Sequence, residues 1–369
     1  MTLRVNGKVV TPTGVIRQGC VEIEGDRIRA VAEYPSVRDG HWIVPGFVDM
    51  HTHGGGGHTF TTGEADSARE AAAFHLRHGT TTLLASLVSS PFELMRDAVA
   101  AFRPLVEAGV LAGVHFEGPY LSAARCGAQN PEFLRDPSTE ELSQLIELGA
   151  GAVRMVTLAP ERDGALAAIK LLTGHGVVAA VGHTDATWEQ TRAAVAAGAS
   201  VGTHLFNGMR PVHHREPGPV VALLDAPNVV CELVADGVHL HDGMLCFATS
   251  VAGPERAALI TDAMAAAGMP DGEYELGGQA VTVADGVARL SEGGAIAGST
   301  LTMDAALRHA VAAGIPMSDA CRMVATTPAR AIGLGDKVGS IQIGLRADLV
   351  VLDDDLNVVR VMRAGSWLD

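Results

Sequence analysis

The chain has 369 residues and a formal net charge of −15. That length suits a barrel of about 250–300 residues with a modest second unit. The acidic balance argues against nucleic acid or an anionic membrane as a general partner, and leaves open a small anionic substrate met by local positive charge. No apolar run approaches membrane-spanning length, and the first residues lack the basic-then-apolar pattern of a signal peptide. Cys20, Cys126, Cys231, Cys246 and Cys321 are scattered and odd in number. The expectation is a cytoplasmic protein without a disulfide framework.

Residues 1–46 alternate apolar and polar positions around Gly7, Gly14, Gly25 and Gly40, as short antiparallel strands do. The last stretch, 336–369, has the same character in Gly339-Ser-Ile-Gln-Ile-Gly, Asp348-Leu-Val-Val-Leu and Val358-Val-Arg-Val-Met. The two ends are expected to meet in one small β-sandwich domain. From 47 to 335, apolar strands alternate with alanine-rich helical patterns, as in a parallel βα architecture. Strands are predicted at 48–50, 80–84, 113–116, 152–158, 177–181, 201–203, 229–234 and 258–260. Helices are predicted at 65–78, 91–107, 138–148, 164–175, 187–197 and 244–251. Eight strands place the chain in the α/β class as a closed (β/α)8 barrel of the TIM type. The segment 272–294 breaks the rhythm and reads as a β insertion, with the small terminal domain as one place for it.

Reactive side chains of such a barrel sit at the carboxyl ends of its strands. After the first strand, Asp49, His51 and His53 alternate onto one face, and two imidazoles at i and i+2 can close on one cation. The other strand ends carry Glu117, His183, His204, the pair Asp236/His239, and Asp262. Glu117 can bind one cation or bridge two. With His183 and His204 it forms a three-ligand set that leaves room for water, the catalytic rather than the structural arrangement. Asp262 can face that water as general base. Singly, each histidine is more often a cap or a core residue and Asp262 more often an N-cap; together they read as functional.

With those motifs the chain resembles the amidohydrolase superfamily and, within it, the N-acetylglucosamine-6-phosphate deacetylases. The resemblance runs through Pro45-Gly-Phe-Val-Asp, His115-Phe-Glu-Gly-Pro-Tyr-Leu, Gly182-His-Thr-Asp-Ala-Thr and Thr203-His-Leu-Phe-Asn-Gly-Met. It continues through Arg215-Glu-Pro-Gly, Ala235-Asp-Gly-Val-His, Thr261-Asp-Ala, Ala297-Gly-Ser-Thr-Leu-Thr-Met and Ala325-Thr-Thr-Pro-Ala-Arg-Ala. It implies hydrolysis of the acetamide of N-acetyl-D-glucosamine 6-phosphate to D-glucosamine 6-phosphate and acetate, in amino-sugar recycling. Glu117, His183 and His204 would hold the principal metal, with Asp262 as acid and base. His239 would polarise the carbonyl and, with Asp236, touch the sugar. Asn207 and Gly208 would contact the sugar phosphate, while Ala128, Gln129, Ile296, Ala297 and Gly298 line the pocket. Arg215 would reach the phosphate bound by a neighbouring subunit, in a homodimer or tetramer, and its fork suits that group. His213 and His214 add positive charge beside it.

The chain departs from the pattern twice. Several relatives have Gln-x-Asn where His51-Thr-His53 stands, so two divalent metals per subunit are expected, the second weaker and held by His51, His53 and Asp262. Zinc comes first, with iron, cobalt, manganese and cadmium as alternatives. Some relatives have histidine at the position of Gln129, which shifts carbonyl polarisation towards the metal. Cys126 is either a small loop residue or a redox-sensitive lid residue. The rivals are a dihydroorotase or adenine deaminase on the same barrel, and a scaffold that has lost catalysis. Asn207-Gly208 with Arg215-Glu-Pro-Gly opposes the first, and retention of Glu117, His183, His204 and Asp262 opposes the second.

Overall fold

Strands buried on both faces pair in parallel under a coat of helices. The computed structural model describes residues 2–35 and 40–368 and places eight such strands side by side. They are β1 (Phe47–Asp49), β2 (Thr80–Leu87), β3 (Gly113–Glu117), β4 (Val153–Leu158), β5 (Val178–Val181), β6 (Val201–Gly202), β7 (Val230–Val234) and β8 (Ala257–Ile260). Spatial order follows chain order, and neighbouring strands run parallel. β1 and β8 end the sheet, and Asp49 joins them. Its carboxylate accepts from the Thr261 hydroxyl at 2.6 Å and the Thr261 N–H at 3.3 Å, while Asp262 N–H donates to the His51 carbonyl at 2.9 Å. Asp49 thus staples the barrel seam beneath the two histidines that follow it.

The helices Ala65–Arg77, Phe92–Glu107, Thr139–Gly149, Ala165–Gly174, Trp188–Ala197 and Asp242–Ala252 lie where the apolar periodicity puts them. Local chemistry starts two of them. Ser138 caps Glu141 N–H, and Thr187 with Gln190 forms a capping box. Four further α-helices among the described residues lie outside the predicted set: Gly218–Asp225, Met303–Ala312 and the one-turn Met317–Cys321 and Thr327–Ala331. Gly218–Asp225 is short and buried along most of its length, so it carries no amphipathic stripe.

Met303–Ala312 is anchored to the barrel by Asp304. Oδ1 meets His78 Nδ1 at 3.2 Å, and Oδ2 accepts from Arg308 at 2.9 Å. Burial alone would raise this carboxyl, but hydrogen bonds from His78 and Thr302 and the charge of Arg308 outweigh it and hold it at about 2. A depressed folded-state pKa stabilises above the unfolded value and is lost as pH falls through the folded one. Asp304→Asn is expected to cost about 2 kcal/mol at neutral pH. The gap to wild type should close as the pH approaches the folded value, which denaturant melts across that range will show.

The two ends of the chain share one seven-stranded sheet. Its order is Ser366–Trp367, Val358–Arg363, Leu349–Leu352, Trp42–Pro45, Thr2–Thr11, Gly14–Glu24 and Arg27–Glu33. The sheet bends back on itself. Ile28 N–H donates to the Leu345 carbonyl at 2.9 Å, and Ala347 N–H to the Asp26 carbonyl at 2.7 Å. Val9, Val21, Ile23, Ile28, Leu349 and Met362 fill the space between. The 339–344 run is not a strand, although Ile341 drops into the same core. The insertion is a meander of Gly272–Leu276, Gln279–Ala284 and Val287–Leu290. It does not join the terminal sheet: Leu276, Val281, Val283 and Ala288 pack on Val88, Met264 and Ala297 beside the site described below.

Candidate active site

The strand ends repeat one local geometry. His51, His183, His204 and Asp262 each stand two residues beyond β1, β5, β6 and β8, and Glu117 closes β3. His183, His204 and Asp262 take left-handed backbone conformations, with φ of 45°, 25° and 50°. Each such residue costs about 1–3 kcal/mol and persists where its surroundings hold it. Here the turn folds each side chain back over the barrel mouth.

The result is one buried cluster. Glu117 Oε1 lies 2.8 Å from His204 Nε2 and 3.0 Å from His183 Nε2, and those two nitrogens are 3.1 Å apart. On the other side, His51 Nε2 and His53 Nε2 are 3.2 Å apart. Asp262 Oδ1 lies 3.2 Å from His53 Nε2, and Glu117 Oε2 lies 3.3 Å from it. Glu117, His183 and His204 therefore form one three-donor group, and His51, His53 and Asp262 a second, with Glu117 between them. Every histidine presents Nε2 inward because Nδ1 is engaged outward. The partners are Glu232 Oε2 for His51, the Ser86 carbonyl for His53, the Arg125 carbonyl for His183 and the Asn207 carbonyl for His204, at 2.9–3.1 Å. Such outer contacts fix tautomer and ring orientation in metal sites.

The donor set fits divalent cations. Nitrogen lone pairs face each other at about 3.1 Å beside buried carboxylates, which is repulsive unless positive charge lies between them. Burial would lower His53, but Asp262 and Glu117 outweigh it and push it up to about 9. Burial would raise Glu117, yet His51 and His183 hold it well below the usual carboxylate range. Cations held by neutral imidazoles and carboxylates would meet the same demand.

The cluster opens into a cavity of about 210 Å³. His53, Glu117, His183, His204, His239 and Asp262 face it. So do Ala128, Gln129, Asn207, Gly208, Ile296 and Gly298. A Cβ at Gly208 would come within 2.9 Å of His183 Nδ1, so only glycine lets that turn close on the ring. Asp236 sits behind His239, accepting from its Nδ1 at 2.7 Å and from its backbone N–H at 2.8 Å.

Four substrate-side candidates do not line the cavity: Asp236 (which only braces His239), Ala297, Arg215 and Cys126. Ala297 is fully buried in the core beneath the insertion. Arg215 is exposed beside His214, 2.8 Å away, and is not among the residues lining the cavity. Cys126 is half-buried in the turn after Arg125, and its neighbours Gly127 and Ala128 line the cavity in its place. Gln129 has a second task. Its Oε1 accepts from Ser89 N–H and its Nε2 donates to Glu117 Oε2, both at 2.6 Å, so it clamps the shared carboxylate.

Glu232 was missed. It is fully buried in β7, where Oε2 accepts from His51 Nδ1 at 3.0 Å and from His204 N–H at 3.1 Å, linking the two donor groups. The signal was present: a lone acid inside the apolar run Val230-Cys-Glu-Leu-Val. Glu232→Leu is expected to weaken cation retention by about 10–100-fold. Chelator competition followed by elemental analysis measures it, and unchanged retention would remove Glu232 from the design.

A barrel whose strand ends pool imidazoles and carboxylates around two cation positions has the layout of a metallohydrolase. The chain belongs to the amidohydrolase family, whose sequence model matches residues 42–368. It is 49% identical to an N-acetyl-D-glucosamine-6-phosphate deacetylase from Mycobacterium smegmatis, solved in complex with N-acetyl-D-glucosamine-6-phosphate. The TM-score is 0.95, covering 100% of this chain and 98% of that one. It is 38% identical to an N-acetylgalactosamine-6-phosphate deacetylase of Escherichia coli O157:H7, over 97% of each chain. An N-acetylglucosamine-6-phosphate deacetylase of Lysinibacillus sphaericus is 35% identical, over 98% of this chain and 96% of that protein.

Proposed function

We propose that the chain hydrolyses the acetamide of N-acetylglucosamine 6-phosphate to glucosamine 6-phosphate and acetate, in amino-sugar recycling. The observation that carries this reading is Glu117, shared between two donor groups at the head of a cavity the size of a small ligand. Glu117, His183 and His204 would hold the principal cation and His51, His53 and Asp262 the second, with zinc the first choice for this ligand mix. A divalent cation there supplies Lewis acidity for water and carbonyl alike. Asp262 takes the proton of the attacking water and returns it to the departing amine. His239, braced by Asp236, donates to the acetyl oxygen as charge develops on it. Asn207 and Gly208 position the sugar phosphate. The five free cysteines support a reducing, cytoplasmic setting.

No lysine or arginine lines the cavity among the described residues. A dianionic phosphate would lack a cationic partner within one chain, which supports a homodimer in which Arg215 serves its neighbour. Arg215→Ala is expected to raise KM for the phosphorylated sugar about 10–100-fold while sparing kcat. Mixing Arg215→Ala subunits with Asp262→Asn subunits should restore the low KM at the Arg215→Ala subunits, the ones that keep Asp262. No recovery after confirmed subunit exchange would place Arg215 in its own site or in none.

Acetate release tests the whole reading. N-acetylglucosamine 6-phosphate is compared with the unphosphorylated sugar and with N-acetylgalactosamine 6-phosphate, the sugar for which the Escherichia coli relative is named. Turnover of a phosphorylated sugar alone is expected. No release from either, with cation bound and fold intact, would overturn the assignment.

A further inference from the structure

Arg154, Lys337, Arg346 and Arg363 line one cleft of about 180 Å³. The chain has 42 acidic residues against 27 basic ones, so a pocket with this many cations runs against its general charge. The cleft lies at the opposite end of the barrel from the cation ligands. Thr82 is near the start of β2, Leu111 and Ala112 precede β3, and Arg154 is the second residue of β4. These are amino ends of strands, whereas Glu117, His183, His204 and Asp262 sit at or beyond the carboxyl ends. The far wall comes from Arg363 at the end of the terminal-sheet strand Val358–Arg363, from Arg346 in the segment leading into Leu349–Leu352, and from the segment carrying Lys337.

The charges there are poorly balanced. Arg346 is paired: its Nε donates to Asp348 Oδ2 at 2.8 Å and its Nη2 to the Thr82 hydroxyl at 3.0 Å. The other oxygen of Asp348 accepts from Ala364 N–H at 2.8 Å, so that carboxylate is fully used. Arg363 donates only to carbonyls, those of Gly109 and Val110. Arg154 has the Ala112 carbonyl at 3.4 Å. Among the described residues, no carboxylate lies within ion-pair distance of Arg154, Lys337 or Arg363. Burial, followed by the nearby charge of Arg346, pushes the Arg363 pKa down. Closing the joint between barrel and sheet requires none of this charge, because Val106, Leu111, Leu334 and Val338 already pack there. Partly buried like charges repel unless an anion lies among them.

We propose that this cleft is a second ligand site, taking a small phosphate-bearing anion between the barrel floor and the terminal sheet. Guanidinium forks bind phosphate oxygens bidentately, and Lys337 adds a point charge at the rim. The apolar wall gives a sugar or a base somewhere to rest, and clefts between packed units are common ligand sites. The volume is close to that of the catalytic cavity, which sets the scale at a hexose phosphate or a nucleotide. A ligand there clamps the terminal sheet to the barrel and stabilises the fold by mass action.

The test is calorimetric titration of the full-length, metal-loaded protein with inorganic phosphate, glucose 6-phosphate and ADP. Wild type is compared with the Arg154→Glu, Lys337→Glu double variant, in which the catalytic cavity is untouched. Affinity for at least one probe is expected to fall about tenfold or more in the variant, with basal turnover unchanged. The probe that shows the difference identifies the source of the phosphate. Superimposable isotherms for every probe overturn the site. Should the double variant fail to fold, Lys337→Glu alone, at an exposed position, is expected to weaken binding about threefold, and equality with wild type again overturns the proposal.

Discussion

Asp262→Asn is expected to reduce acetate release by about 10³–10⁴-fold while leaving the fold intact. Asparagine has the shape of aspartate and keeps an oxygen towards His53, but it cannot take a proton. It is also a side chain that tolerates the left-handed backbone at this position, with φ of 50°, so the barrel end does not have to rearrange. Burial would raise the Asp262 carboxyl, but His51 and His53 outweigh it and hold it below the usual carboxylate range, so the wild-type group is ionised at neutral pH and free to accept a proton. Steady-state acetate release beside a thermal melt decides the matter. Activity within tenfold of wild type in a folded, cation-loaded variant would move the base elsewhere.

Glu117→Gln should be the more damaging change for cation content. The carboxylate lies between the two donor groups, and its removal leaves His183 facing His204, and His51 facing His53, with less negative charge to hold a cation. Elemental analysis of the purified protein is expected to show loss of most bound cation, with turnover down about 10³-fold or more. Stability falls in the same direction once cations are gone. His51 and His183 hold the buried Glu117 carboxyl well below the usual carboxylate range, and Gln129 donates to it, so the stripped variant should melt lower than the stripped wild type at neutral pH. Chelation should lower the wild-type Tm and leave the variant nearly unmoved. A variant that keeps its full complement of cation would show that Glu117 is not a ligand.

The barrel and its mouth were largely legible because strand ends are marked twice, by an apolar run and by the polar residue just after it. That is why Glu117, His183, His204, His239 and Asp262 could be read off together and why the structure brings them to one cavity. What escaped lies where one residue type serves two purposes. Asp49 has the side-chain parity of His51 and His53, yet it spends its carboxylate on Thr261 across the seam. Glu232 was hidden inside β7, since a sequence pattern does not say which face of a strand looks along the barrel axis. Ala297 and Gly298 are adjacent, but only Gly298 lines the cavity while Ala297 faces the insertion's core. Helix Gly218–Asp225 left no periodic trace because it is apolar on most sides.

The shared terminal sheet carries a consequence for the order of synthesis. Trp42–Pro45 pairs on one side with Thr2–Thr11 and on the other with Leu349–Leu352. While the chain emerges from the ribosome, one edge of that strand stays bare until the whole barrel has been translated. An unpaired edge recruits other strands, and contacts so distant in sequence form slowly. A chain cut short before residue 349 would therefore keep its metal ligands and still lack the partner that hides this edge, so truncated products should be sticky and quickly degraded. The strand Leu349–Leu352 acts as a seal that can close only after the barrel before it has been made.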